Sequence, residues 1–180
     1  MIKTIFSGAM IPLIFFLFVK EVLPLGEVTG FPTIMGVKAA PIGMAEAYTS
    51  LLRGMDSVQY NPAGITSIER NEIDFSFSKS YFDDYFSSVS FGRRFPEGYF
   101  GFNIMYYSSG EIELIDLDGN ERKVIAEKDY MFTTSFANKK YKLIFDSDFV
   151  SYGFNVKLFH TTLVDQFGIM SSFLYDLGLI

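Results

Sequence analysis

The chain has 180 residues, with 15 Lys plus Arg against 21 Asp plus Glu, a net charge of −6 and a pI near 4.8. That balance argues against a nucleic-acid binder, because nothing neutralises phosphates, and the absence of cysteine removes disulfide scaffolds, thiolate zinc sites and cysteine nucleophiles. A single histidine, His160, leaves a His-rich metal site or a Ser-His-Asp triad without support, while 21 Phe and 11 Tyr suggest a chain that meets more than water on its outside.

Residues 1–26 read as a secretory signal. Lys3 supplies the positive start, and Ile11 to Val19 form an apolar core of signal-peptide length, short for a spanning helix. Lys20, Glu21, Pro24 and Gly26 follow, so cleavage is expected between Leu25 and Glu27, with an uncleaved anchor as the alternative. Residues 27–70 form a segment rich in small side chains. Pro41 can open a helix running through Met44, Ala47, Tyr48 and Leu51, with Gly54 as its C-terminal stop. Asn61-Pro62 is an N-cap followed by Pro at the first helical position, the start of a short helical turn.

After Arg70 the period changes to two, and 71–180 reads as antiparallel strands. In the first, Glu72 to Tyr81, Ile73, Phe75, Phe77 and Tyr81 alternate with Glu72, Asp74, Ser76, Ser78 and Ser80. Asp83-Asp84 turns into a second strand, Tyr85 to Phe95, and Pro96-Glu97-Gly98 into a third, Tyr99 to Ser108. A long excursion, Ser109 to Lys128, precedes Asp129 to Asn138, then Val150 to His160 and Ser171 to Ile180. Each strand has the ~9–11 residues that a tilted strand needs to cross a bilayer. One face is Phe, Tyr, Val, Ile and Leu; the other is Ser, Gly, Asn and scattered charge.

Periodicity alone leaves a membrane barrel and a soluble β-sandwich open. The leader, the aromatic apolar face and the small residues of the polar face favour the fold expected here: all-β, a partial antiparallel transmembrane β-barrel of about six strands behind an N-terminal helical segment. Six strands are fewer than the ~8 of the smallest single-chain outer-membrane barrels. The expectation is therefore a piece of a longer barrel, or a chain that joins copies of itself.

Two blocks near the N-terminus, Gly36-Val37-Lys38-Ala39-Ala40 and Gly43-Met44-Ala45-Glu46-Ala47-Tyr48-Thr49, are followed by Asp56-Ser57 and Tyr60-Asn61-Pro62-Ala63-Gly64. Together with Tyr107-Ser108-Ser109-Gly110-Glu111-Ile112 and Tyr175-Asp176-Leu177-Gly178-Leu179, this pattern resembles the PorV/PorQ-type proteins, a branch of the FadL-like (OmpP1/FadL/TodX) outer-membrane barrels. The resemblance covers about residues 33–180, departs at Arg53-Gly54-Met55, and matches the N-terminal half of proteins about twice as long. It implies a plug inside or under the barrel, carrying the motif residues Gly36, Gly43, Asn61, Pro62 and Gly64. It also implies work in the outer membrane: uptake of hydrophobic compounds in one branch, type IX secretion in the other. The expected partners are outer-membrane lipid and either hydrophobic small molecules or secreted proteins. No nucleic acid, cofactor or metal is expected.

Other candidate sites are weak. Asp116-Leu117-Asp118-Gly119-Asn120 with Glu127 imitates a calcium loop, but the required Gly position holds Glu121, and Asp118-Gly119 suits a hairpin turn. His160 reads as an interfacial or loop-end residue, Asp83-Asp84 as a solvated turn, and Glu72 and Asp74 as lumenal acids without a site. No carboxylate pair is placed for acid/base work and Thr161 and Thr162 form no nucleophile motif, so an enzyme is not expected. N-terminal sequencing of the exported chain should find a start between Leu25 and Glu27. A start at Met1 would instead select the membrane anchor.

Overall fold

The computed structural model describes residues 38–51, 53–80, 83–115, 119–141, 149–164 and 169–180; the expected leader and Gly36 lie outside them. Helix α1 (Ala39–Gly43) and two 3-10 turns, Gly54–Ser57 and Pro62–Ser67, make up the N-terminal segment. Eight strands follow. They are β1 (Asn71–Lys79), β2 (Tyr85–Phe95), β3 (Gly98–Ser108), β4 (Glu111–Ile115), β5 (Glu121–Ile125), β6 (Glu127–Tyr141), β7 (Phe149–Leu163) and β8 (Ile169–Leu179). The chain is all-β and antiparallel. Six strands form one sheet in the order β1-β2-β3-β6-β7-β8, and β4-β5 form a separate hairpin.

Two expectations need correction. The helix from Pro41 stops at Gly43: Ala45 and Glu46 take positive φ of 49° and 63°, and the Glu46 amide bonds back to the Pro41 carbonyl at 2.9 Å. The fold back puts Tyr48 at 0% exposure with its ring 5.7 Å from that of Tyr60. Burying a large aromatic gains ~2–3 kcal/mol, comparable with the ~1–2 kcal/mol that each left-handed residue costs. Gly54 is no helix stop either; it opens a 3-10 turn at φ 56°. The excursion at 109–128 also contains more structure than expected. It holds β4 and β5, whose Ile112, Leu114 and Val124 alternate with Glu111, Glu113 and Lys123 over only five residues per strand.

Strand register arranges the sheet in rows. On one face, Ile73–Phe91–Phe102–Thr134–Val156–Tyr175 and Phe75–Val89–Ile104–Phe132–Leu158–Phe173 run straight across all six strands. On the other run Glu72–Gly92–Gly101–Ser135–Asn155–Asp176 and Asp74–Ser90–Asn103–Thr133–Lys157–Leu174. The polar face is the buried one: Ser90, Asn103, Thr133, Ser135 and Asn155 are nearly inaccessible, whereas Phe75 is 77% and Leu177 89% exposed. The sheet is therefore the reverse of a water-soluble one, in which the apolar face packs inward.

The N-terminal segment lies on this polar face at the end marked by the β2–β3 turn. Met55, Val58, Ile65 and Ile68 pack with Tyr99 and Ala137 of the sheet. Toward the other end of the same face Phe86, Met105, Tyr107, Met131 and Phe159 form a second cluster, with Leu174 against it. Close approach depends on strand glycines: a Cβ on Gly153 would meet the Pro62 carbonyl carbon at 2.7 Å, and one on Gly178 the Pro62 Cδ at 2.8 Å. Gly153→Val should accordingly lower stability by ~2–3 kcal/mol, read as the urea unfolding midpoint. Gly43→Ala, with open space around it, should stay within about 0.5 kcal/mol. Equal effects would mean that the segment does not dock as described.

Candidate functional site

The seam between the N-terminal segment and the polar face is the site with the most built chemistry. It starts at Lys38, whose side chain is 9% exposed. Its ammonium pairs with Asp56 of the segment at 3.2 Å and with Asp74 of β1, and donates to Ser90 Oγ of β2 at 3.1 Å. Asn103 Nδ2 donates to the same Ser90 hydroxyl at 2.8 Å. Glu72, one row nearer the turn end, accepts from the Met55 amide at 2.8 Å. Glu72 and Asp74, read from the sequence as lumenal acids without a role, thus anchor the segment to β1.

Asn155 of β7 holds the middle of the seam. Its Nδ2 donates to the Val58 carbonyl at 2.8 Å and to Asp176 Oδ2 at 2.8 Å, while its Oδ1 accepts from Ser135 Oγ at 2.7 Å. Lys157 pairs with the same Asp176 carboxylate at 2.6 Å. Each charge here has an opposite charge within reach, which is the condition for burying ions at all. A void of about 10 Å³ between Lys38, Gln59, Ser88, Asn103, Thr133 and Lys157 has roughly the room of one water.

Asn61 secures the far side. Its Oδ1 accepts from the Ala63 amide at 3.1 Å, the N-cap expected from Asn61-Pro62. Its Nδ2 donates to the Thr49 carbonyl at 3.0 Å and, across 118 residues, to the Leu179 carbonyl of β8 at 3.1 Å. Pro62 presses on Gly153 and Gly178, and Gly64 is packed on Ser57, where a side chain has no room. Beside them Thr66 Oγ1 lies 3.0 Å from Ser151 Oγ. Of the motif residues, Asn61, Pro62 and Gly64 therefore meet in one place, Gly43 stands in open space, and Gly36 lies outside the described residues.

Burial raises the Tyr48 phenol above its usual pKa, with the Asp56 carboxylate adding to the effect; burial does the same at Tyr60, helped by Glu46. Both tyrosines stay neutral and act as packing.

The remaining candidates sit elsewhere. His160 lies on the apolar face of β7, its Nδ1 2.9 Å from Ser171 Oγ and its ring 6.4 Å from that of Tyr130. Asp83 pairs with Lys79 at 2.8 Å, and that ammonium holds its carboxyl below the usual range. Residues 116–118 of the calcium-like stretch are outside the described residues; Gly119 has the positive φ of a turn, 82°. Among the described residues no group of three potential ligands could hold a metal, and no helix is long and apolar enough to cross a membrane. Sequence reasoning missed Lys38 and Asn155 because their partners lie 18 to 97 residues away in the chain. A lysine and an asparagine surrounded by small residues are the signals that could have marked them.

Asn61→Asp keeps the cap acceptor and deletes both Nδ2 donors, so it should destabilise by at least ~2 kcal/mol. Asn61→Ala should cost about 1 kcal/mol more through the lost cap. Unfolding in urea checks both; a neutral Asn61→Asp would remove the bond to Leu179 from any role. Comparison of the chain with protein-family models, with curated proteins and with solved structures finds no match.

Proposed function

We propose that the chain is part of an outer-membrane β-barrel of the FadL/PorV-like type, in which residues 38–68 are the plug. The observation that carries this reading is the reversed sheet: an apolar face turned outward and a polar face buried beneath the segment. A soluble sandwich would turn the same rows inward. A bilayer is the medium in which an outward aromatic face is stable and a small-residue polar lining is useful.

The dimensions support it. Lys128 and Lys140 flank the outward positions Tyr130, Phe132, Thr134 and Phe136 of β6. The twelve steps between them at ~3.3 Å each span ~40 Å, and a tilt of ~40° reduces this to ~30 Å across the membrane, the thickness of a hydrocarbon core. Tyr106 and Tyr130, with ring centres 4.8 Å apart, and His160 lie in one outward row near the β4–β5 end, where an aromatic girdle belongs. A sheet in lipid has no free edge, so β1 and β8 pair with further strands in the bilayer.

In this reading the protein binds and passes a cargo without catalysing a reaction. The cargo is either a hydrophobic compound crossing the outer membrane or a secreted protein engaged by the secretion machinery. The plug closes the lumen through the seam at Lys38, Asn61 and Asn155, and irregular backbone is tolerated there because strands cover it.

The absence of tryptophan provides a clean test. Phe102→Trp and Phe132→Trp proteins, reconstituted in vesicles with acyl-chain-brominated phosphatidylcholine, should lose about half or more of their fluorescence, since both positions face out near mid-membrane. Tyr99→Trp, on the buried face, should keep its emission. Unquenched outward probes, or a chain that stays monodisperse without detergent, would defeat the membrane reading.

A further inference from the structure

The rim at the β2–β3 turn carries a cleft apart from the seam at Lys38, Asn61 and Asn155. It has a volume of about 680 Å³, and Arg70, Arg93, Arg94 and Lys139 line it together with Glu69, its one acidic residue among the described lining. Four cations converge there in a chain whose net charge is −6. Among the described residues no carboxylate forms an ion pair with Arg70, Arg93 or Arg94.

Ring faces hold Arg93 and Arg94, and Lys139 shares one of those rings. Arg93 Cζ lies 5.0 Å from the centre of the Phe95 ring, and Arg94 Cζ and Lys139 Nζ lie 5.9 and 5.8 Å from that of Tyr99. Stacking orients a guanidinium while leaving its N–H fork open to an anion.

The cleft runs into a mostly apolar groove of about 290 Å³ against Phe95, Tyr99, Phe100 and Phe136, with Glu97 at its lining. Phe100 and Phe136 belong to the outward aromatic rows. A cationic pocket and an apolar wall thus share Phe95 and Tyr99 at the edge of the apolar band.

We propose that this rim binds an anionic phospholipid, its phosphodiester on Arg93 and Arg94 and one acyl chain along Phe100 and Phe136. The acyl half rests on the membrane reading above. Arginine suits the phosphodiester because its fork matches two phosphate oxygens. A free phosphate would leave the groove empty, and a zwitterionic headgroup would bring an ammonium among four cations.

The test uses the full chain in nonionic detergent, titrated separately with phosphatidylglycerol, phosphatidylcholine and inorganic phosphate, with bound lipid counted by native mass spectrometry. Phosphatidylglycerol should bind about tenfold or more tighter than phosphatidylcholine, and the Arg93→Gln/Arg94→Gln protein should lose that advantage. Arg93→Lys/Arg94→Lys, which keeps the charge and controls for folding, should stay within about threefold of wild type. Equal retention by the Gln pair, equal binding of phosphatidylcholine, or displacement of phosphatidylglycerol by equimolar inorganic phosphate would overturn the proposal. Lost discrimination with the tryptophan probes still quenched overturns the lipid site alone. Unquenched probes overturn the membrane reading and, with it, the acyl half of the site.

Discussion

Six strands that bury their polar side have to find hydrogen-bond partners for it, and at the seam the N-terminal segment supplies them, whereas toward the other end the Ser88 and Ser108 hydroxyls are buried without one among the described residues. Ser90, Ser135, Asn103 and Asn155 are satisfied by one another, by Lys38 and by the Val58 carbonyl, so the face can be dry without being apolar. Breaking such a network leaves a group unpaired in a low-dielectric place, which costs more than the bond itself gained. This requirement explains the composition of the segment: small residues for close approach, and a few side chains with several donors at its contact points. It also explains why glycines line up in the strands beneath it, where Gly92 and Gly101 face Met55, and Gly153 and Gly178 face Pro62.

With the seam bonded on one side, the other face is mostly apolar. Its exposure is graded. Phe102 and Phe132 in the centre are 37% and 38% exposed, against 75% for Ile73 and 65% for Phe173 at the edges. The centre is lower because neighbouring rows shield one another, and the edges are higher because β1 and β8 have a partner on one side only. A contiguous apolar face across six strands marks a surface that meets a partner or a membrane. The transport or secretion reading draws its support from that physical fact and leaves the nature of the cargo to experiment.

Charge is distributed with the same economy. Lys38 and Lys157 are buried at the seam, where Lys38 meets two aspartates and Lys157 one, while Asp129 is buried toward the other end of the same face. Arg93 and Arg94 lie at one rim, over the rings of Phe95 and Tyr99. The seam set closes the structure on itself.

The alternation after Arg70 was enough to locate the strands of the large sheet to within a few residues, including β2 at Tyr85–Phe95, because a period of two persists over nine residues or more. It was also enough to sort the two faces and to find the Asn61 cap, which is a contact between residues two apart. Strands of five residues with charges at alternate positions carry too little of that signal, which is why β4 and β5 stayed inside the excursion. The early stop of α1 was equally hidden, since the contact that folds the chain back at Ala45 and Glu46 is the burial of Tyr48 beside Tyr60. Which face is buried, that Glu72 and Asp74 are anchors, and that four cations share one rim were decided only by the tertiary structure. Local pattern reports which way a side chain points; its partner depends on strand register and on contacts as distant as Asn61 to Leu179, and no local pattern carries that information.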